Sequence, residues 1–217
     1  MMNVSRYLRR RLLRHLAFFV ASVVMVGFVY VNVPTDFIPR RWNLATAYVA
    51  LAFMALTLLL GPWHVLRGRP SPVSTDLRRD VGIWAGILGL VHSVIGLRIH
   101  EQGRFWRYFV YPASERHLLP IRSDAFGLAN YTGLGSTLVL LLLLSLSNDA
   151  ALRRLGPVRW KSLQRFNYAA FGLMAVHSIV YQLLEKRVVP VVAVFVAVTS
   201  VVVVTQLAGY RRRRAAP

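Results

Sequence analysis

The sequence predicts an all-α fold: a polytopic membrane protein built as a bundle of six transmembrane helices, with both termini in the cytoplasm. Three observations predict it. Of 217 residues, 56% are hydrophobic and only 16% are charged, against about a quarter charged in ordinary soluble domains. The apolar residues gather into six stretches, each close to the ~20 residues that cross a hydrocarbon core. The basic residues gather between those stretches, mostly on alternate connections.

The first stretch, 15–33 (HLAFFVASVVMVGFVYVNV), follows a basic run, as the core of a signal peptide does. It lacks a small-residue cleavage site and outruns a usual signal core, so it reads as a retained anchor. The second, 44–62, stops at Pro62, with Gly68, Pro70 and Pro72 in the turn beyond; proline has no backbone donor to continue a helix. The third, 81–99, begins just after Asp80. Residues 100–124, HEQGRFWRYFVYPASERHLLPIRSD, form the one long connection. Their aromatics and arginines suit an interfacial belt or, alternatively, a surface for an external partner. The fourth stretch, 125–147, is Leu-rich (LVLLLLLSLS), and a wet, basic loop leads from it into the fifth, 165–184. The sixth, 188–208, is Val-rich and reads, like the fourth, as lipid-facing or bundle-filling. No repeat divides the chain, so residues 1–217 form one domain.

Charge sets the orientation. Arg6, Arg9, Arg10, Arg11, Arg14, Arg67, Arg69, Arg78, Arg79, Arg153, Arg154, Arg159, Lys161, Arg165 and Arg211 to Arg214 hold 18 of the 27 basic residues on one side. Arg40, Arg41, Arg98, Arg104, Arg107, Arg116, Arg122, Lys186 and Arg187 hold the rest on the other. The positive-inside rule places the first set, and both termini, in the cytoplasm, as in a multi-pass protein of the bacterial inner (cell) membrane. The net charge of +19 is then a topology signal and an anchor for anionic headgroups, not a nucleic-acid footprint. Cysteine is absent, which excludes disulfides, thiolate metal sites and catalytic thiols.

Ionisable groups inside a membrane are costly and therefore functional candidates. His15 and His64 fall at inner span edges and His100 and His117 in the outer loop, where water or headgroups serve them. His92 (GIWAGILGLVHSVIGL) and His177 (FGLMAVHSIVY) remain. His92 lies twelve residues past Asp80 and His177 twelve past Arg165, so each sits ~18 Å from the inner boundary at ~1.5 Å per residue. Both spans run the same way, which makes the two imidazoles level. Ala85, Gly89 and Gly96 share a helical face with His92, and Ala170 precedes His177 by seven residues. Small faces suit a flat ligand, but also close packing of bare helices. A haem explains the pattern with two neutral axial imidazoles in an apolar setting. The competing readings are two buried histidines bonded to carbonyls or serines, and a zinc site, for which no third ligand is level.

The segments 76–97 (DLRRDVGIWAGILGLVHSVIGL) and 147–178 (SNDAALRRLGPVRWKSLQRFNYAAFGLMAVHS) resemble the ferric reductase-like transmembrane domain family. Paired basic residues precede a glycine and a deep histidine in the first. In the second a polar turn leads to RRLG, an RWK-x-L element, an aromatic and a deep histidine. Within that family the likeness is to the haem-binding membrane subunits that serve periplasmic methionine sulfoxide reductases. It covers the third to fifth spans; the first, second and sixth agree by pattern only.

The resemblance implies a b-type haem between His92 and His177, with Gly89 and Gly96 beside it. It also implies electron transfer from a cytoplasmic flavin reductase or the quinone pool to a periplasmic molybdopterin reductase. Family members commonly carry a further histidine thirteen residues before the deep one. Here those positions are Gln164 and Arg79, so one haem is expected. Arg78, Arg79 and Gln164 are candidates for a flavin (FMN) phosphate or quinone head, or simply part of the positive-inside bias. No nucleotide-binding fingerprint is present, so reducing equivalents come from a partner. The alternatives are a degenerate, non-catalytic membrane scaffold or assembly protein of the same fold, and a proton relay, which would need intramembrane carboxylates.

Overall fold

The computed structural model describes residues 4–68 and 75–215. Apart from an isolated bridge between Val110 and Ile121, the described residues form helices and turns. The α-helices are α1 (Val4–Asn32), α2 (Ile38–Leu66), α3 (Thr75–Gly96), α4 (Ala125–Leu146), α5 (Asp149–Gln164), α6 (Phe166–Leu184) and α7 (Val189–Arg214). Two 3₁₀ turns, Glu101–Gly103 and Phe105–Tyr108, lie in the long connection. Arg69, Pro70 and Pro72 lie outside the described residues.

Among the described residues the fold is all-α, and four helices are long and apolar enough to cross a membrane: Arg6–Asn32, Ile38–Leu66, Ala125–Leu146 and Val189–Arg214. The histidine-bearing α3 and α6 are more mixed. α3 opens on Asp76, Arg78, Arg79 and Asp80, and α6 carries Asn167, His177 and Gln182.

The connection between α4 and α6 corrects the sequence reading of a wet loop, because it folds as α5. Asn148 caps it by accepting from the Ala151 amide at 2.8 Å, satisfying a donor the first turn leaves open. Gly156 breaks it in a left-handed conformation (φ 72°) just before Pro157, a backbone state that costs glycine nothing. Buried Trp160 then returns the helix to the bundle, its Nε1 donating to the Leu146 carbonyl at 2.8 Å.

The core centres on α2. Its Ala45, Val49, Phe53, Met54 and Leu58 pack with Val81, Ala85 and Leu88 of α3, Val26 of α1 and Val202 of α7. α6 packs chiefly along α4, and α4 touches α3. The bundle is thus two halves, α1–α2–α3–α7 and α4–α5–α6, joined along α3 and α4. Leu12 (71% exposed), Phe28 and Val31 on α1 and Val204 and Leu207 on α7 face outward. So much exposed apolar surface marks an interaction with something equally apolar, and these helices are compatible with a lipid membrane.

Contacts put the first turns of α1 and the last turn of α7 at one end of the bundle. Arg11 of α1 reaches Asp80 near the start of α3, and Arg212 of α7 donates to the Leu66 carbonyl at the end of α2. At this basic end Asp80 is fully buried between Arg14 (2.8 Å), Arg11 (3.1 Å) and His15 (3.3 Å). At the opposite end Asp124 caps α4 through the Gly127 amide (2.7 Å) and pairs with Arg122 (2.8 Å). Buried Tyr108 donates to the His100 carbonyl at 2.6 Å, which folds the long connection back over the bundle.

Candidate functional site

His92 on α3 and His177 on α6 meet across the seam between the two halves. Their ring centroids are 6.1 Å apart and the rings nearly perpendicular, at 83°. Each ring is oriented by the helix its own helix packs against most. His92 Nδ1 lies 3.1 Å from the Asn43 carbonyl of α2, and His177 Nδ1 lies 2.8 Å from the Ala129 carbonyl of α4. A carbonyl only accepts, so each Nδ1 carries the proton and donates, and each Nε2 keeps its lone pair. No hydrogen bond to either Nε2 is formed among the described residues, and both rings line the cavity beside them.

A threonine hydroxyl joins both anchor points. Thr46 shares its hydroxyl proton between the Trp42 (2.8 Å) and Asn43 (3.1 Å) carbonyls, and Thr132 does the same between Leu128 (2.8 Å) and Ala129 (3.0 Å). This repeated device has a sequence trace, the segments NLAT (43–46) and ANYT (129–132). Sequence reasoning missed it because nothing local says which carbonyl a distant histidine will face.

The cavity beside the pair has a volume of about 200 Å³, is lined largely by apolar groups, and runs between α2, α3, α4 and α6 toward the long connection. Gly89 and Gly96 both line it, but their roles differ. A Cβ at Gly89 would meet Leu140 Cδ1 at 2.8 Å, whereas one at Gly96 would lie 3.4 Å from Asn43 Oδ1. The glycine that matters most to an imidazole is Gly133 of α4, absent from the sequence reading. A Cβ there would lie 2.6 Å from His177 Nδ1.

Toward the mouth the lining turns polar. His100, expected to face water or headgroups, lines this cavity instead. Its Nε2 is 3.1 Å from Glu185 Oε1, and its ring stacks on Tyr181 at 5.7 Å. Arg187 completes the cluster at 3.1 Å from Glu185 Oε2. Burial alone would raise the Glu185 pKa, but the His100 hydrogen bond and the Arg187 charge outweigh it and hold it below its ordinary value. Asn43 Oδ1 and Gln182 Oε1 line the same space, buried and without hydrogen-bond partners among the described residues.

The other sequence candidates lie elsewhere. His64 Nδ1 is 3.1 Å from the Leu60 carbonyl, His117 stacks on Tyr111 in the long connection, and His15 accepts from Trp84 at 3.2 Å beside Asp80. Arg79 is almost wholly buried, with Asp149 at 2.6 Å and Asp76 at 3.3 Å, so its guanidinium fastens α3 to α5. Arg79's hydrogen bond holds the Asp149 carboxyl below its ordinary value. Arg78 lies against Gly61 of α2. Gln164, at the end of α5, has a buried Nε2 with no partner among the described residues.

The donor set itself is informative. No group of three or more histidine or carboxylate side chains is placed to hold a metal ion among the described residues, whereas a catalytic zinc takes three protein ligands. Two imidazoles lining one cavity would suit an ion held between them. A metal–imidazole bond is about 2 Å, and the ring centre lies about 1 Å beyond the nitrogen, so two axial imidazoles place their centroids about 6 Å apart. The observed separation matches. Size is the tighter constraint: ligand pockets commonly span about 300–1,000 Å³, so a macrocycle requires side chains such as Leu140 and Met174 to turn aside.

Comparison with protein-family models, with curated proteins and with solved structures gives no match.

Proposed function

We propose that this protein is a membrane-embedded electron-transfer component holding one b-type haem between His92 and His177. One observation carries the reading. Two imidazoles on different helices stand at axial spacing, each turned by a backbone carbonyl so that an unprotonated Nε2 is left to bind. Ligating histidines are oriented in this way, through a hydrogen bond from the second ring nitrogen. A histidine buried for packing alone has no need of a second one at matching distance with both Nε2 atoms unpartnered.

A haem so held supplies reversible one-electron transfer. The chain's part is to fix the two ligands, surround them with apolar side chains that exclude water, and bring His100, Glu185 and Arg187 to the cavity's open end. The proposed topology has α3 and α6 crossing with the four apolar helices, which makes six spans with both termini cytoplasmic in the inner membrane. A single haem is supported at the other level of the bundle, where Arg79 is engaged by carboxylates and Gln164 offers only an amide. Electrons would then come from a cytoplasmic flavin reductase or quinol and leave to a periplasmic acceptor such as a molybdopterin reductase, in line with the family resemblance.

The absorption spectrum of protein expressed with adequate haem supply tests this. The expected result is a six-coordinate b-type spectrum with one haem per chain, lost in both His92→Ala and His177→Ala. A chain that folds and stays haem-free under those conditions is the scaffold instead.

A further inference from the structure

Proton chemistry beside the histidine pair needs a carboxylate within reach, and the polar end of the cavity holds one. Glu185, just past α6, keeps only 13% of its side-chain exposure and lines the same cavity as His92 and His177. Both of its oxygens are engaged: Oε1 lies 3.1 Å from His100 Nε2, and Oε2 lies 3.1 Å from Arg187 Nη2. A carboxylate only accepts, so His100 Nε2 carries a proton toward it. His100 Nδ1 forms no hydrogen bond among the described residues, and in the neutral ring that nitrogen holds a lone pair. The side chain keeps 28% of its exposure, so water at the open end reaches the ring. On the inner side Tyr181 stacks on His100 at 5.7 Å and lies 4.9 Å from His177, so two ring-to-ring steps join His100 to the deep pair. The long connection adds Tyr108 and Glu101, the latter held by Arg107 at 3.8 Å and Arg122 at 3.6 Å. From α2, Arg40 acts on Glu185 by its charge and Tyr48 donates to the Val191 carbonyl; Phe126 of α4 brings no charge. Among these groups histidine is the side chain whose ordinary titration falls near neutral pH.

We propose that His100, seated on Glu185 at the open end of the cavity, binds one proton from that side for each electron that arrives between His92 and His177. This proton site depends on the haem proposed above and couples a second chemistry to it. One electron from the flavin- or quinol-class donor reduces the ferric centre to ferrous, and one proton from the aqueous phase adds to His100 Nδ1; both leave again on reoxidation by the outer acceptor. The cause is electrostatic. An added electron lowers the charge of the centre by one, in apolar surroundings where charges act strongly on one another. A cationic His100 offsets that change, and the Glu185 carboxylate at 3.1 Å supports the cation. Linkage is reciprocal, so a proton that favours the reduced centre is itself bound more tightly once the centre is reduced. At low pH His100 is protonated in both states and at high pH in neither. Between its titrations in the oxidised and reduced protein, only the reduced state holds the proton, and there the potential falls as pH rises.

Potentiometric titration of the haem-loaded full chain in detergent, followed by its absorption from about pH 5 to pH 8, tests the site across the histidine range. The midpoint potential is expected to fall as pH rises, approaching ~59 mV per unit, the value for one proton per electron. His100→Gln keeps a donor for Glu185 without the proton seat, and should flatten the profile. Glu185→Gln removes the supporting anion and should move the sloping region toward acid. His117→Gln lies in the long connection, stacked on Tyr111, and should change nothing. Proton uptake during reduction, read with a pH dye, should appear in the unmodified protein and vanish in His100→Gln. A midpoint that ignores pH in the unmodified protein overturns the proposal. So does a slope that survives in His100→Gln, or stays in place in Glu185→Gln, with the haem spectrum intact. A folded chain without haem overturns this reading together with the electron-transfer one, whereas a bound haem with a pH-independent potential overturns this one alone.

Discussion

The polar cluster around Asp80 and the one around His92 and His177 are finished differently. Around Asp80 the burial is met mainly by charge: a carboxylate with no exposed surface has the Arg14 and Arg11 guanidiniums at 2.8 and 3.1 Å and a His15 nitrogen at 3.3 Å, although its Oδ2 accepts no aligned hydrogen bond among the described residues. Around His92 and His177 it is met only halfway. Each Nδ1 has its carbonyl, while no Nε2 hydrogen bond is formed among the described residues and the two ring centroids lie 6.1 Å apart. Both rings line the cavity, so this half of the site is open to a small guest. The first cluster reads as a fastener tying α1 and α5 to α3. The second leaves both Nε2 atoms without a hydrogen-bond partner among the described residues.

The comparison can be broken most sharply at the histidines. His92→Ala or His177→Ala should abolish haem binding, read as loss of the Soret band in purified protein, while the helical circular dichroism persists. Asp80→Ala should do the reverse: haem retained, but thermal stability lowered by about 2–3 kcal/mol. That lies below the 3–5 kcal/mol of a fully buried pair, because the Arg11 and Arg14 side chains keep 19% and 32% of their exposure. Haem loss in a folded Asp80→Ala variant would erase the distinction between fastener and site.

Smaller changes sharpen it. Gly133→Ala sets a methyl 2.6 Å from His177 Nδ1, so it should weaken haem retention roughly tenfold, about 1.4 kcal/mol, with a shifted spectrum. Gly89→Ala meets only the mobile end of Leu140 and should cost less than half of that, seen in a haem-transfer competition. Glu185 tests the mouth. Its folded pKa lies below the ordinary 4.5, so its stabilising contribution is present above pH 4.5 and disappears as pH falls through the lower, folded value. Glu185→Gln should therefore lower the melting temperature near neutrality by an amount worth about 1 kcal/mol, and the gap from the unmodified protein should close in acid.

Much of this was legible in the chain because hydrophobicity and depth are one-dimensional. Apolar runs mark helices, and counting twelve residues from Asp80 and from Arg165 was enough to make His92 and His177 level. What was not legible depends on which neighbour a residue meets. Residues 149–164 looked like a basic loop because α5 has a short apolar stripe and a Gly156–Pro157 break; its burial rests on Trp160 finding α4. His100 looked like a headgroup contact because nothing near it in sequence announces Glu185, eighty-five residues away. Asp80 likewise gave no sign of α1, although a lone acid beside RR in so basic a chain is a signal that could have been followed. Gly133 sits in an ordinary small-residue stretch, and its closeness to His177 comes from the packing of α4 on α6.

The two threonine-braced carbonyls have a consequence for how the bundle assembles. Asn43 orients His92 within one half and Ala129 orients His177 within the other, so neither ring relies on the seam for its tautomer or its aim. Under the proposed function both ligands would be aimed before a haem arrives, much as a vice has its jaws aligned before the work is placed.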